Sequence, residues 1–184
     1  METAEVSTKT KWGIDPTHSE IGFKVKHLMV ANVRGTFKEF DASIYATGQD
    51  FMTTEIDFWL NPASVDTRDE KRDAHLKGTD FFDTDNFKEI NFIANTYESV
   101  DNDGSYELYG DLTIKGITKR IKLDVEFGGV VKDPWGNEKA VFEINGKLNR
   151  KDWGLVWNAA LETGGVLLSE DVWISCEVQL VKQT

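Results

Sequence analysis

Apolar and polar residues alternate along most of the chain, which is the pattern of β-strands with one buried and one solvated face. The first such run has Ile21, Phe23 and Val25 separated by glycine and lysine. Later runs repeat it, with these apolar positions: Ile56, Phe58 and Leu60; Ile90, Phe92 and Ala94; Leu108, Leu112 and Ile114; Ile121, Leu123, Val125 and Phe127; Phe142, Ile144 and Leu148; Val172, Ile174, Cys176, Val178 and Leu180. The pattern predicts a chain built almost entirely of antiparallel strands.

Tight turns separate the later runs. Residues 101–104, 115–116 and 133–137 carry Gly, Asn, Asp, Lys and Pro, mostly residue types that suit hairpins requiring fixed or positive φ. Successive hairpins of this kind make a meander. Because no linker or repeat interrupts the chain, we expect a single domain over residues 11–184, preceded by a disordered tail at residues 1–10.

One segment, Ser64–Phe82, breaks the alternation because it is dense in charge and rich in helix formers. Thr67 or Asp69 can cap the first turn of a helix, and Gly78 can end it. The segment predicts one short helix near residues 69–77. Since it contains few apolar residues, that helix should lie on the surface or cover an opening.

A long alternating chain hides its apolar faces by folding into a sandwich or by closing into a barrel. The runs Tyr106–Ile114 and Lys119–Val131 favour a barrel, because at about 3.3 Å per residue they span roughly 30–40 Å. About eight strands would enclose a small ligand, and an apolar lining would imply an apolar one. Alternation cannot measure a hole, so a filled barrel acting as an interaction module stays open as an alternative.

The net charge of the chain argues against some classes of binding partner. The 184 residues include 32 acidic and 21 basic side chains, a net charge of −11, which argues against a nucleic-acid binder and against an anionic membrane surface. The chain has neither a run of about 18 apolar residues nor a secretory signal at its start. We therefore expect no stable membrane insertion and a cytoplasmic location, or a periplasmic one if a signal peptide has been removed.

Residues that could carry chemistry are few. Cys176 is the only cysteine and falls on an inward position, where an inert buried thiol is expected. His18, His27 and His75 have no recognised metal-ligand spacing. We predict no catalytic residue, metal or cofactor. A small metal-assisted or acid/base enzyme that uses these three histidines with neighbouring carboxylates is the alternative.

Four motifs in order resemble the YceI-like, polyisoprenoid-binding family from Trp12 to Leu180. The first motif comprises Ile14, Asp15, His18, Ser19, Phe23, Val25, His27, Gly35 and Phe37. The second comprises Arg72, Asp73, His75, Leu76, Asp80, Phe81, Phe82 and Asp83. The others are the hairpin Gly110–Lys119 and the segment Leu148–Leu155. Together they cover nearly the whole chain.

The resemblance implies an all-β, extended lipocalin-like antiparallel barrel of eight strands with a helix near one end. It also implies a tunnel for a long isoprenoid or similar amphiphile, such as a polyprenyl pyrophosphate, a quinone or a fatty-acid amide. A homodimer is compatible with the family. We accordingly predict a non-enzymatic carrier or store for an apolar lipid.

The ligand's tail and head are assigned to different residues. The predicted tail contacts are Phe23, Val25, Phe37, Phe58, Phe92, Leu112 and Ile114. The predicted contacts of the head group, at the rim, are Arg72, His75, Arg150 and Trp153. Because the negative charge of the chain opposes a phosphate, a neutral quinone or amide head is expected in preference to a pyrophosphate.

Overall fold

Strands make up most of the molecule, a computed structural model in which residues 9–47, 50–99 and 104–183 are described. The strands are β1 Lys9–Ile14, β2 Glu20–His27, β3 Ala31–Phe37, β4 Phe40–Thr47, β5 Asp50–Leu60, β6 Val65–Asp66, β7 Ile90–Ser99, β8 Ser105–Ile114, β9 Ile117–Lys132, β10 Glu138–Asn149 and β11 Leu168–Lys182. The helix α1 spans Glu70–Lys77, and short 3-10 turns occupy Pro62–Ser64 and Arg150–Trp153. In the described ranges, no helix is long and apolar enough to cross a membrane.

The sheet closes into a barrel because β1 pairs with both β4 and β11. All pairings are antiparallel, and the strands from β7 to β11 form the predicted meander. Two of the eight positions around the barrel are each shared by two strands. At one position, β1 pairs with the last part of β11 and β2 pairs with its first part. At the next position, β4 pairs with β1 and β3 pairs with β2. The predicted all-β, lipocalin-like barrel of eight antiparallel strands is confirmed.

The chain enters the barrel slightly earlier than expected. β1 begins at Lys9 and pairs with the end of β4 through Lys9–Thr47 and Thr10–Ala46. Residues 9 and 10 therefore belong to the barrel and not to the predicted tail, because β4 is long enough to provide them with a partner strand. The rest of that tail, residues 1–8, lies outside the described residues.

Asp15 stabilises the interruption between β1 and β2. Its Oδ1 accepts hydrogen bonds from the Thr17 amide at 3.1 Å and the Thr17 hydroxyl at 2.8 Å. Its Oδ2 accepts from His18 Nδ1 at 2.8 Å and from Lys139 Nζ on β10 at 3.1 Å. Burial raises the pKa of Asp15, but these hydrogen bonds outweigh it and hold the pKa well below its usual range. The carboxylate thus ties the interrupted strand to β10.

Helix α1 confirms the element predicted near residues 69–77. The Asp69 carboxylate caps it by accepting from the Lys71 and Arg72 amides, both at 3.0 Å, and Gly78 ends it. The helix follows β6, and Asp73 anchors it there by accepting from Thr67 N at 2.9 Å and Thr67 Oγ1 at 2.6 Å. We call this end of the barrel, where α1 lies, the mouth.

Aromatic packing fills the opposite end of the barrel. Phe51 lies at the centre, with ring centroids 5.2 Å from Trp12, 5.1 Å from Phe127 and 5.0 Å from Phe142. Trp12 is fully buried. Within the described part of the chain, this end is therefore closed by side chains, and the interior opens towards α1.

Candidate ligand-binding cavity

The barrel is hollow. It encloses a cavity of about 590 Å³, within the range of roughly 300–1,000 Å³ typical of small-molecule sites. Inward residues of the barrel strands form the wall, and Phe51 and Phe142 border its deep part. This volume contradicts the alternative of a barrel filled by its own side chains.

All seven predicted tail contacts lie on the cavity wall. They are Phe23, Val25, Phe37, Phe58, Phe92, Leu112 and Ile114. They come from β2, β3, β5, β7 and β8, where strand alternation turns one side chain in two towards the interior. Their position agrees with the sequence analysis, while contact with a ligand stays a prediction.

The wall also includes residues that were not chosen from the sequence. On β9 to β11 they are Ile121, Leu123, Val125, Phe142, Ile144, Leu148, Val172, Ile174, Cys176, Val178 and Leu180. The same alternation marked all of these as inward. Leu155 and Trp157 line the cavity from the irregular segment after β10, where no periodic signal could have identified them.

Gly35 makes room for the aromatic wall near the mouth. A Cβ at this position would collide with the Phe23 ring and would lie 3.0 Å from Thr67 Cγ2. The Phe23 ring packs on Phe37 at 5.5 Å, and Phe37 packs on Phe82 at 5.8 Å. The Gly-x-Phe motif of the sequence therefore serves the lining of the cavity.

Polar lining residues gather near the mouth. They are His27, Thr67, Asp69, Lys71, Arg72, His75 and Arg150. Deeper in the cavity Thr54 is buried, and its hydroxyl already donates to the carbonyl of Phe51. The arrangement suits an amphiphile, because an apolar chain fits the interior while a polar group stays near the mouth.

Arg72 and His75, two of the predicted head contacts, project from α1. Arg72 Nε donates to Thr67 Oγ1 at 2.8 Å and Arg72 Nη2 to the Thr67 carbonyl at 2.7 Å. His75 Nε2 is hydrogen-bonded to Asp80 at 2.9 Å. The His75 ring lies edge-on to Phe81 at 5.0 Å and to Trp157 at 4.7 Å. Both side chains therefore have protein partners and shape the mouth.

Arg150 lies deeper than the predicted rim, since only 4% of the residue is exposed. Its Nε donates to the Ser169 carbonyl at 2.9 Å, and its Nη1 donates to the carbonyls of Leu155 at 2.6 Å and Trp157 at 2.8 Å. Its Nη2 is buried without a hydrogen-bond partner. Burial lowers the pKa of Arg150. This guanidinium therefore keeps an unused donor group on a residue of the cavity wall.

Trp153 also lies beneath the rim, with 2% of its surface exposed. Its Nε1 donates to the Leu112 carbonyl at 3.0 Å, so its polar edge is already used. The 3-10 turn after β10 places both Arg150 and Trp153 inside the barrel opening. Trp153 can thus offer a ligand only its apolar ring.

The three histidines occupy different places. His18 is hydrogen-bonded to Asp15 outside the cavity, whereas His27 and His75 line it near the mouth. The residues that the structure describes contain no group of three or more His, Cys, Asp or Glu side chains that could hold a metal ion. Burial raises the pKa of Cys176 to about 11, so this thiol is protonated and unreactive at neutral pH.

Comparisons with known proteins agree with this architecture. A family model described as YceI-like domain matches residues 12–180. A UPF0312 protein of Staphylococcus aureus is 43% identical over 164 residues, which cover 89% of this chain and 92% of that protein. The crystal structure of the Campylobacter jejuni YCEI protein has a TM-score of 0.72 at 34% identity, with 100% of both chains covered.

A more distant neighbour has the same fold. The structure of a polyisoprenoid binding domain from Saccharophagus degradans has a TM-score of 0.65 at 12% identity, covering 94% of this chain and 98% of that one. The family match, which begins in β1 and ends in β11, includes every barrel strand described above. The chain belongs to the YceI-like family.

Proposed function

We propose that the protein binds a long-chain apolar lipid, with the tail inside the barrel and the head near the mouth, and that it acts as a carrier or store and not as an enzyme. The hollow apolar interior of about 590 Å³ carries this proposal. Burial of a hydrocarbon contributes roughly 0.8 kcal/mol per methylene-sized unit before entropic losses. No cofactor is needed for such binding.

An isoprenoid chain is the proposed tail. The Saccharophagus degradans neighbour is described as polyisoprenoid binding, and the elongated interior of this chain suits a flexible apolar polymer. On β10, Phe142, Ile144 and Leu148 line the cavity, and the stretch from the first to the last of them covers about 20 Å at roughly 3.3 Å per residue. A quinone or fatty amide with a tail of similar length would fit the same space.

The proposed head group is a neutral oxygen acceptor near Arg150. Its unpartnered Nη2 is a buried donor, and a buried donor that gains an acceptor removes an energetic penalty. Asp69 lines the same mouth and, with the overall charge of −11, disfavours a pyrophosphate. A quinone or amide carbonyl is thus preferred, while Arg72, His75 and Trp153 shape its surroundings.

A substitution that fills the cavity tests whether the ligand binds there. Ala42 lines the wall, and Ser43, next to it on β4, is exposed. We expect Ala42→Phe to abolish uptake of a fluorescent polyprenyl probe and Ser43→Phe to leave it unchanged. Denaturing mass spectrometry of the purified wild type should release a lipid. A wild-type protein that is empty and also takes up no probe would refute lipid binding.

The head group is tested with paired ligands that share one tail and differ only in a terminal carbonyl. The wild type should prefer the carbonyl ligand, and Arg150→Lys, which keeps the charge but loses the guanidinium fork, should lose that preference. Binding of the plain hydrocarbon should not change. An equal loss for both ligands would assign Arg150 a purely structural role.

A further inference from the structure

Exposed apolar side chains border the mouth of the barrel. In the β2–β3 turn, Leu28 is 48%, Met29 55% and Val30 85% exposed. In the segment between β10 and β11, Val156 is 60% and Val166 39% exposed. We call these five residues the apolar rim. Clustered exposed apolar groups of this kind mark interaction sites.

The β2–β3 turn and the segment before β11 form one continuous surface. The Leu28 amide donates to the Leu167 carbonyl at 2.9 Å. Met29 lies against Gly165, since a Cβ on that glycine would be 3.1 Å from Met29 Sδ. His27 directly precedes Leu28, and Leu167 directly follows Val166; both line the cavity. The apolar rim is therefore directly attached to the cavity wall.

The backbone of the turn holds its apolar residues in a costly conformation. Leu28 has a φ of 55° and Met29 a φ of 69°, in the left-handed region that large apolar residues rarely adopt. Asparagine or glycine would be the favourable residues there. Neither side chain repays this cost by burial, so the strain points to a role outside the folding of the isolated chain.

Unpaired cations lie behind the turn on the outer face of β2 and β3. Lys24 stands directly opposite Arg34 in the sheet, and Lys26 is two residues nearer the turn. Like charges at opposite positions destabilise a sheet. In the described part of the chain, no carboxylate lies within 4.0 Å of these three cations. The Trp173 ring packs 5.3 Å from Lys24 Nζ.

We propose that the apolar rim docks on the surface of a lipid bilayer. The rim side chains enter the boundary between head groups and acyl chains, about 5–10 Å deep. Lys26 and Lys24 precede Leu28 by two and four residues, or roughly 7 and 13 Å at about 3.3 Å per residue. That spacing puts the cations at the lipid phosphates and Trp173 in the interfacial layer that tryptophan prefers.

Charge selects a bilayer over a second copy of the chain. In a symmetric contact between two rims, each partner presents the same apolar and cationic groups, so neither supplies a countercharge for the three cations of the other. Anionic lipid head groups instead neutralise them, so this local cationic patch acts against the net charge of −11, which disfavours an anionic surface for the molecule as a whole. Docking would also place the cavity mouth against the membrane, so that an apolar ligand could pass between the bilayer and the barrel without crossing water. The proposal thus goes beyond binding to the path by which the ligand enters.

The test is flotation of the full chain with vesicles of phosphatidylcholine, alone or in equimolar mixture with phosphatidylserine. The rim variant carries Leu28→Asn and Met29→Asn, which suit the left-handed backbone of the turn, together with Val30→Thr. The matched control, Val131→Thr with Trp135→Ser, removes exposed apolar groups from the end of β9 and from the turn that follows it. We expect the wild type and the control to float, and the rim variant to stay unbound while it still takes up the polyprenyl probe in solution.

Charge variants test the second part of the docking surface. Lys24→Gln and Arg34→Gln should each weaken binding to the mixed vesicles about fivefold and leave binding to phosphatidylcholine unchanged. The proposal is overturned if the wild type does not float, if the rim variant floats like the wild type, or if the control loses binding. A wild-type dimer that becomes a monomer in the rim variant would assign the surface to self-association instead. Probe uptake is measured separately, so failure of docking and failure of lipid binding are distinguishable.

Discussion

At the scale of single residues, Asp15 is the polar group on which we expect the barrel wall to depend most. Its carboxylate joins the β1–β2 interruption to Lys139 on β10. We expect Asp15→Asn to lower the free energy of unfolding by about 2 kcal/mol at neutral pH, since it removes the negative charge that accepts hydrogen bonds from Lys139, His18 and the Thr17 amide. Urea unfolding measures this. Exposed Asp41→Asn is the control and should change little.

The contribution of the Asp15 carboxylate to the free energy of unfolding should depend on pH in a defined way. Because its folded-state pKa is lowered, the contribution is complete above the unfolded-state value of about 3.9 and disappears as the pH falls towards the folded-state pKa. The stability difference between wild type and Asp15→Asn should therefore be constant from about pH 6 to 8 and shrink by about pH 3. A difference that grows on acidification would contradict this assignment.

At the scale of elements, the β7–β8 pair is held close by a glycine. A Cβ on Gly110 would lie 2.7 Å from the Ile93 carbonyl oxygen and 2.7 Å from the Ala94 Cβ. Backbone atoms cannot give way as a flexible side chain can, so Gly110→Ala should destabilise by about 1–3 kcal/mol.

Gly128 on β9 provides the matched control for this substitution. The nearest atom to a Cβ there is the Val141 carbonyl oxygen at 3.5 Å, an ordinary contact. Gly128→Ala should therefore leave the midpoint of urea unfolding unchanged or raise it slightly. Equal losses in both alanine variants would show that the close approach at Gly110 does not determine the cost.

The sequence predicted elements better than their connections. Alternation identified the inward faces, and Asp69 and Gly78 marked the helix because capping is a local interaction. Two positions around the barrel are each occupied by two short strands, one by β1 and β2 and the other by β3 and β4. This arrangement was not predicted, because it depends on pairing with distant strands. The unused donor of Arg150 was equally hidden, since carbonyls of residues 155, 157 and 169 place it.

At the scale of the whole molecule, the barrel combines a closed aromatic end with an open polar one. Alternation of apolar and polar residues predicted which side chains point inward. The volume between those side chains depends on the number and stagger of the strands, which cannot be predicted from a local sequence pattern. The family resemblance supplied the expectation of a tunnel, and the structure gives it a size. The negative charge of the chain is compatible with a lipid carrier, because the cavity wall is largely apolar.

Ligand binding in such a cavity should stabilise the whole fold. A ligand at a hundredfold excess over its dissociation constant raises the free energy of unfolding by about 2.7 kcal/mol, or roughly 5–10 °C in the melting temperature for a chain of this size. Calorimetry of delipidated wild type and Ser43→Phe should show this increase on adding the polyprenyl ligand. Ala42→Phe should show none, because the added ring occupies the site. An equal increase in Ala42→Phe would place the bound lipid outside the barrel.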